Sequence, residues 1–194
     1  MTSTLCNVPS IVFHLAPFNL PWASQVFAKI VANNIYGSSD QSSPGSGTII
    51  YAVPDVPTTL TDNTAARTST TLGLTWVDGD DSGGLPVIDY RVYVTSTTGS
   101  YRVIVNVTTK GYNATGLSLG VSYNFIVQSR NSYGYSSNSS TLLLLCAILP
   151  NVPTNVLTVN SASNVIVSWI APSSNGSPIT AYMILILTGS MTFA

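Results

Sequence analysis

The feature that most constrains the fold of this 194-residue chain is an internal repeat with a period close to 97 residues. The segment Asn-Ile-Tyr-Gly-Ser-Ser at 34–39 returns as Asn-Ser-Tyr-Gly-Tyr-Ser at 131–136, an offset of 97 positions. Further along, Leu-Thr-Trp at 74–76 returns as Val-Ser-Trp at 167–169. A similarity that extends over several elements indicates successive copies of one folded unit.

Apolar residues occupy every second position in several runs of the unit, as in 72–76, 90–94 and 123–127. A period of two is typical of strands that bury one face. Clusters of Gly, Pro, Asn and Asp separate these runs, for example at 78–84. Many short strands with regularly spaced turns predict an all-β fold, namely an antiparallel β-sandwich.

Four landmarks follow one another in the complete unit. They are Trp76, the turn Gly-Gly-Leu-Pro at 83–86, the run Leu-x-x-Gly-x-x-Tyr-x-Phe at 117–125, and Asn-x-x-Gly at 131–134. This order resembles the fibronectin type III pattern. The resemblance implies that Trp76 is the core tryptophan of the second strand. It also implies that Tyr123 is a tyrosine corner, whose hydroxyl bonds to the backbone a few residues upstream.

The resemblance divides the chain into three pieces. We expect 1–52 to be the C-terminal part of one fibronectin type III-like repeat, 53–149 to be a complete repeat, and 150–194 to be the N-terminal part of a further repeat. The expected fold class is therefore a tandem series of immunoglobulin-like antiparallel β-sandwiches. Because half a sandwich exposes strand edges and an apolar face, each partial repeat needs a partner.

Two arrangements would complete the partial repeats, and the sequence leaves both open. In the first, 150–194 of one copy and 1–52 of the next form a composite sandwich, so that copies join head to tail by strand complementation. In the second, the chain is a slice of a longer, continuous array. Either way the expected partners are copies of the same unit, arranged in a line.

Composition narrows the environment and the partners. Charged residues make up 7% of the chain, against about 25% in ordinary soluble domains. The net charge is −1 and the six basic residues are scattered, which excludes nucleic acid as a partner. The longest apolar run, 142–149, is too short to cross a bilayer. A surface rich in Ser, Thr and Asn can be solubilised by glycans, which predicts an extracellular or cell-surface location.

Three glycosylation sequons begin at Asn106, Asn113 and Asn138, and a fourth, at Asn175, is weakened by the proline that follows it. With 15 Asn and about a quarter Ser plus Thr, chance would produce a similar number. We predict N-linked glycan on the first three because each is expected at a strand end or on a solvent face.

The two cysteines, Cys6 and Cys146, belong to the two sides of the expected composite junction. An intermolecular bridge between them would lock that junction in an oxidising compartment. The alternative is that both are small buried apolar side chains, since 142–146 reads as a core strand.

Neither a metal nor a catalytic centre is predicted. Asp78, Asp80 and Ser82 have the spacing of a calcium loop, but strands rather than helices flank them. His14 is the only histidine, and no spacing places it beside a nucleophile. We therefore predict no cofactor and no enzyme activity.

The predicted function is that of a structural subunit in an extracellular repeat fibre or filament. The alternative is a set of adhesion or ligand-binding repeats in a large cell-surface receptor, because the same fold supports both.

Overall fold

A computed structural model describes residues 4–96 and 99–186 of the chain. The ends of the two expected partial repeats, 1–3 and 187–194, lie outside the described residues. The described part contains one short helix, α1 (Ser10–His14), a 3-10 turn (Thr64–Ala66) and a series of β-strands. The strands are β1 (Gln25–Val26), β2 (Asn33–Asn34), β3 (Gly37–Ser38), β4 (Thr48–Ile49), β5 (Thr58–Asp62), β6 (Leu72–Val77), β7 (Asp89–Ser96), β8 (Arg102–Val107), β9 (Gly111–Ala114), β10 (Ser122–Arg130), β11 (Leu142–Leu145), β12 (Thr154–Ser161) and β13 (Asn164–Ile170).

Strands β5 to β11 form a sandwich of two antiparallel sheets, which we call the central sandwich. One sheet has the strand order β5-β6-β9 and the other has the order β11-β10-β7-β8. The alternation in the sequence appears directly in the pairing, since Val92 lies opposite Val127 and Val94 lies opposite Phe125. The predicted all-β antiparallel sandwich is confirmed.

The inner faces of the two sheets bury a continuous apolar core. Its most enclosed side chains, each 0–3% exposed, are Leu72, Leu74 and Trp76 of β6, Tyr90, Val92 and Val94 of β7, and Phe125 and Val127 of β10. Each such side chain contributes about 1.5–3 kcal/mol of burial. The ring of Trp76 meets that of Tyr90 edge-on at a centroid distance of 5.5 Å, so the predicted core role of Trp76 is confirmed.

The tyrosine corner is also confirmed. The backbone N–H of Ser118 donates to the hydroxyl oxygen of Tyr123 over 2.9 Å. Next to it, the N–H of Leu117 donates to the carbonyl of Thr70 over 3.0 Å. These bonds hold the loop before β10 beside the start of β6.

The N-terminal segment is mostly a long hairpin with few buried side chains. β1 pairs with β4, and β2 pairs with β3, so that residues 25–49 fold back on themselves. We call this segment the N-terminal hairpin. Before it, residues 4–24 contain α1 and turns rather than strands.

The C-terminal segment repeats the opening of the central sandwich. β12 pairs with β13 with an irregularity between Thr154 and Leu157, as β5 pairs with β6 with an irregularity between Thr58 and Thr61. The ring of Trp169 lies 5.0 Å from that of Tyr182, which reproduces the Trp76–Tyr90 pair. Every residue of β12 is exposed.

Across residues 4–96 and 99–186, the structure has no helix of the length and apolar character that crossing a membrane requires.

Candidate functional site

Two joints connect the central sandwich to the segments on either side. The first joint consists of 22–24, 50–52 and the turn at 83–84. In it the N–H of Ala23 donates to the carbonyl of Ile50 over 2.8 Å, and the N–H of Ala52 donates to the carbonyl of Gly83 over 3.0 Å. We call residues 50–52, which lead from the N-terminal hairpin to the central sandwich, the linker. The linker is therefore held by the segment that precedes the N-terminal hairpin and by the central sandwich at the same time.

The second joint consists of 119–121, 146–148 and the turn at 175–176. Here the N–H of Gly120 donates to the carbonyl of Cys146 over 2.8 Å, and the N–H of Ile148 donates to the carbonyl of Asn175 over 3.1 Å. These residues occupy the same positions in the repeat as those of the first joint. The two joints are thus built from the same backbone hydrogen bonds.

A glycine lies at the closest approach in each joint. Gly84 has φ +80°, and a Cβ on it would lie 2.7 Å from the backbone nitrogen of Ala23. Gly176 has φ +90°, and a Cβ on it would lie 2.8 Å from the backbone nitrogen of Gly120. Both positions need glycine twice over, for the positive φ and for the space.

Asn131 fixes the linker from the side of the central sandwich. Its Nδ2 donates to the carbonyls of Ala52 and Ser82 over 2.8 and 2.9 Å. Its Oδ1 accepts the N–H groups of Tyr133 and Gly134 over 2.8 and 3.0 Å. The side chain is 2% exposed, and its amide makes all four of these bonds at once.

Asn175 serves the second joint, a role that sequence reasoning missed. Its Nδ2 donates to the carbonyl of Leu149 over 2.7 Å and to Oδ1 of Asn151 over 3.0 Å. In sequence Asn175 is notable only as a weak sequon. Its alignment with the glycine turn of the preceding repeat is the signal that could have revealed this role.

The three predicted glycosylation sites are all exposed. Asn106 lies on β8 and Asn113 on β9, which are edge strands of the two sheets. Asn138 lies in the loop between β10 and β11. Glycosylation at these three positions stays a prediction, and the structure leaves room for it.

The two cysteines have different surroundings. Both are free thiols, but Cys6 is exposed whereas Cys146 is fully buried. The Sγ of Cys146 lies 3.4 Å from the carbonyl oxygen of Ser69, and burial raises the pKa of the thiol despite the nearby charge of Arg67. The intermolecular bridge stays a prediction, and it would require the core next to β11 to open.

The carboxylates of the calcium-like loop bind protein groups. Asp78 accepts hydrogen bonds from the Tyr90 hydroxyl and from Lys110, whose Nζ is 2.6 Å away. Burial acts to raise the pKa of Asp78, but these bonds outweigh burial and lower the pKa below its usual range. Asp81 accepts the N–H of Gly83 over 2.7 Å. Among residues 4–96 and 99–186 no group of three potential ligands is arranged to hold a metal ion.

His14 lies beside the first joint. Its ring stacks on that of Trp22 at a centroid distance of 4.6 Å, and its Nδ1 is 2.9 Å from the carbonyl oxygen of Leu20. Trp22 lies beside the turn at Gly84, since a Cβ on this glycine would come within 3.0 Å of the Trp22 Cβ. The single histidine therefore packs at the joint.

This combination of a two-sheet sandwich with a reiterated joint defines a modular β-sandwich protein that is built from repeats. Residues 55–143 match the family model for the fibronectin type III domain. The central sandwich is therefore a fibronectin type III domain.

Several curated proteins are similar over much of the chain. A Kelch domain-containing protein of Saccharolobus solfataricus is 32% identical over 151 residues, which is 75% of this chain and 20% of that protein. Protein sidekick-1 of Mus musculus is 30% identical over 80% of this chain and 7% of its own length. A titin homolog of Caenorhabditis elegans is 30% identical over 66% of this chain and 1% of its own length. The chain thus spans a fifth or less of these relatives.

Solved structures are similar as well. A structure of domains A168–A170 from titin aligns with a TM-score of 0.48 at 23% identity, over 62% of this chain and 40% of that one. A solution structure of a human FNIII domain aligns with a TM-score of 0.47 at 22% identity, over 54% of this chain and 88% of that one.

Proposed function

We propose that this chain is a non-catalytic structural segment of an extracellular linear array of fibronectin type III sandwiches. The observation that carries the proposal is the recurrence of the joint. The bonds from Ala23 to Ile50 and from Ala52 to Gly83 have counterparts at the equivalent positions of the second joint. A contact that is repeated with the same geometry between successive units generates a regular, open line of units.

The chemistry of the surface agrees with a structural role. Few residues carry charge, and the carboxylates near the first joint are bound to Lys110, Tyr90 and backbone amides. The sequons at Asn106 and Asn113 lie on edge strands, where glycans would prevent sheets of neighbouring arrays from pairing. Glycans on the edges and joints at the ends together favour growth along one axis.

A glycine substitution tests whether the joint holds its two units in a fixed orientation. Gly84→Ala introduces a Cβ against Ala23 and should open the first joint, whereas the matched control Gly116→Ala adds a Cβ at a similar φ of +70° with no atom within 4 Å. Both variants carry a similar backbone strain, of about 1 kcal/mol or more. Only Gly84→Ala should increase the amide hydrogen exchange of Ala23 and Ala52, by roughly tenfold or more.

Electron microscopy of the native material tests the array itself. We expect linear particles in which sandwiches recur at a constant spacing and orientation. Equal exchange in the two glycine variants, or dispersed particles with irregular domain orientation, would contradict the proposed function.

A further inference from the structure

The C-terminal segment has an exposed apolar face. The equivalent face of the central sandwich is covered, but this one is not covered by any of the described residues. Val165, Val167 and Trp169 occupy the repeat positions of Leu72, Leu74 and Trp76, while Tyr182, Ile184 and Ile186 occupy those of Tyr90, Val92 and Val94. The central residues are at most 3% exposed, whereas Val165 and Ile184 are 66% and 51% exposed. These side chains line a groove of about 510 Å³. We call it the C-terminal groove.

In the central sandwich, β10 and the chain that follows it cover the equivalent surface. β10 pairs with β7, and its inward residues Phe125 and Val127 fill the space between the sheets. The part that the C-terminal groove lacks among the described residues is therefore a hairpin of the 122–145 type.

The N-terminal hairpin is a second hairpin of that type. Its hydrogen bonds reproduce those of 122–145 at equivalent positions. In both, two serine hydroxyls accept backbone amides and an asparagine Oδ1 accepts the N–H two residues later. The matching bonds are Ile30 N to Ser42 Oγ and Val127 N to Ser139 Oγ, Ala32 N to Ser39 Oγ and Ser129 N to Ser136 Oγ, and Tyr36 N to Asn34 Oδ1 and Tyr133 N to Asn131 Oδ1.

We infer that the C-terminal groove binds the N-terminal hairpin of a second copy of this chain. This inference rests on the proposed function, and it names the partner that covers the apolar face of the C-terminal segment. The central sandwich supplies the register. Val92 lies opposite Val127 and Tyr90 lies opposite Ser129, so Ile184 pairs with Ile30 and Tyr182 with Ala32 of the second copy. The two strands are antiparallel.

The bound hairpin also supplies the clamp on the linker. Asn131 Nδ2 donates to the carbonyls of Ala52 and Ser82. The residues at these positions in the next repeat are Ile148 and Ser174. Asn34 of the second copy occupies the position of Asn131 and is exposed, so its Nδ2 is placed to donate to those two carbonyls of the copy that carries the groove.

The groove and the hairpin of one chain lie toward opposite ends of the central sandwich. The first joint uses the turn after β6, whereas the second joint uses the loop that Leu117 ties to Thr70, just before β6. Six residues of β6 separate these ends by about 20 Å. Pairing is therefore between copies and head to tail, which produces an open chain rather than a closed dimer.

Cross-linking of the 194-residue chain tests the register. Equal amounts of Ile30→Cys and Ile184→Cys are mixed and oxidised, and the linked peptides are identified by mass spectrometry. Directly opposed residues of an antiparallel pair have Cβ atoms about 4.5–5.5 Å apart, so we expect a 30–184 link. The matched control Lys29→Cys, one residue along the strand and on its other face, should give at least tenfold less product with Ile184→Cys.

Sedimentation of the same chain tests the association. We expect the unsubstituted chain to form longer oligomers as its concentration rises. Asn34→Asp should weaken this association about tenfold or more, because a carboxylate cannot donate to the carbonyls of Ile148 and Ser174. A chain that stays monomeric, an unchanged Asn34→Asp, or equal linking through positions 29 and 30 would overturn the inference. Those results would leave the joint exchange of Gly84→Ala unaffected, so the proposed function would be judged separately.

Discussion

The two hairpins at 25–49 and 122–145 have matching hydrogen bonds and opposite exposure. Val127 is 0% exposed in the second hairpin, whereas its equivalent Ile30 is 68% exposed in the first. The difference lies in the sheets beneath them, because only the hairpin at 122–145 pairs with a long neighbouring strand, β7. Local sequence thus determines the bonds within a hairpin, while a partner sheet provides most of the burial that stabilises it.

The largest expected difference between the hairpins is in the free energy of unfolding of the central sandwich. Phe125→Ala removes a fully buried ring and should cost about 3–5 kcal/mol. Phe27→Ala, in the exposed hairpin, should change this free energy by less than about 0.5 kcal/mol. Urea unfolding followed by circular dichroism at low protein concentration measures both, and equal losses would show that the hairpins do not differ as described.

A smaller difference is expected at the paired asparagines. Asn131→Asp removes both donors to the carbonyls of Ala52 and Ser82 and should destabilise the central sandwich by about 2 kcal/mol or more. Asn34→Asp keeps the oxygen that accepts the N–H of Tyr36 and should leave the dilute chain as stable as before. The same urea titration measures the free energy of unfolding of both variants. An equal loss of stability in Asn131→Asp and Asn34→Asp would contradict the expected difference between the two asparagines.

The smallest expected effect concerns acid. The pKa of Asp78 is lowered in the folded state, so its stabilising contribution is present above the unfolded pKa of about 3.9 and is lost as the pH falls through the folded value. The C-terminal segment has Ala171 at the repeat position of Asp78, so this contribution has no equivalent there. Since the Asp78 side chain is 34% exposed, Asp78→Asn should cost less than about 1 kcal/mol at pH 7. The difference should disappear near pH 2, and a constant difference from pH 2 to pH 7 would rule out this titration.

The architecture of the central sandwich could be predicted because its signals are local and repeated. The alternation at 72–76 and 123–127 indicates which faces are buried, and the spacing around Tyr123 indicates the corner. The offset also aligns Gly84 with Gly176. Sequence alone could not show why these glycines are needed. They are needed because the backbone of the neighbouring unit lies so close to each glycine that a Cβ would collide with it.

Other features of the joints and segments have weaker signals. Thr59 and Asn155 both have a φ of +53° and accompany the irregular pairing of β5 and β12. Asparagine is enriched at positive φ but threonine is not, so the two aligned positions share no residue type that indicates this conformation. Asn175 reads as a modification site because its triplet is short and common. The helix α1 has no side-chain cap and only five residues, so no pattern in the sequence distinguishes it from a loop.

The serine bonds of the hairpin at 122–145 have a consequence for the edge of its sheet. The amides of Val127 and Ser129 are taken by the hydroxyls of Ser139 and Ser136, and the outer strand β11 is limited to Leu142–Leu145. A sheet can be extended sideways only along an edge that offers a long row of free backbone groups. The hydroxyls shorten that row, so this side of the central sandwich offers few free backbone groups to the sheet of another molecule.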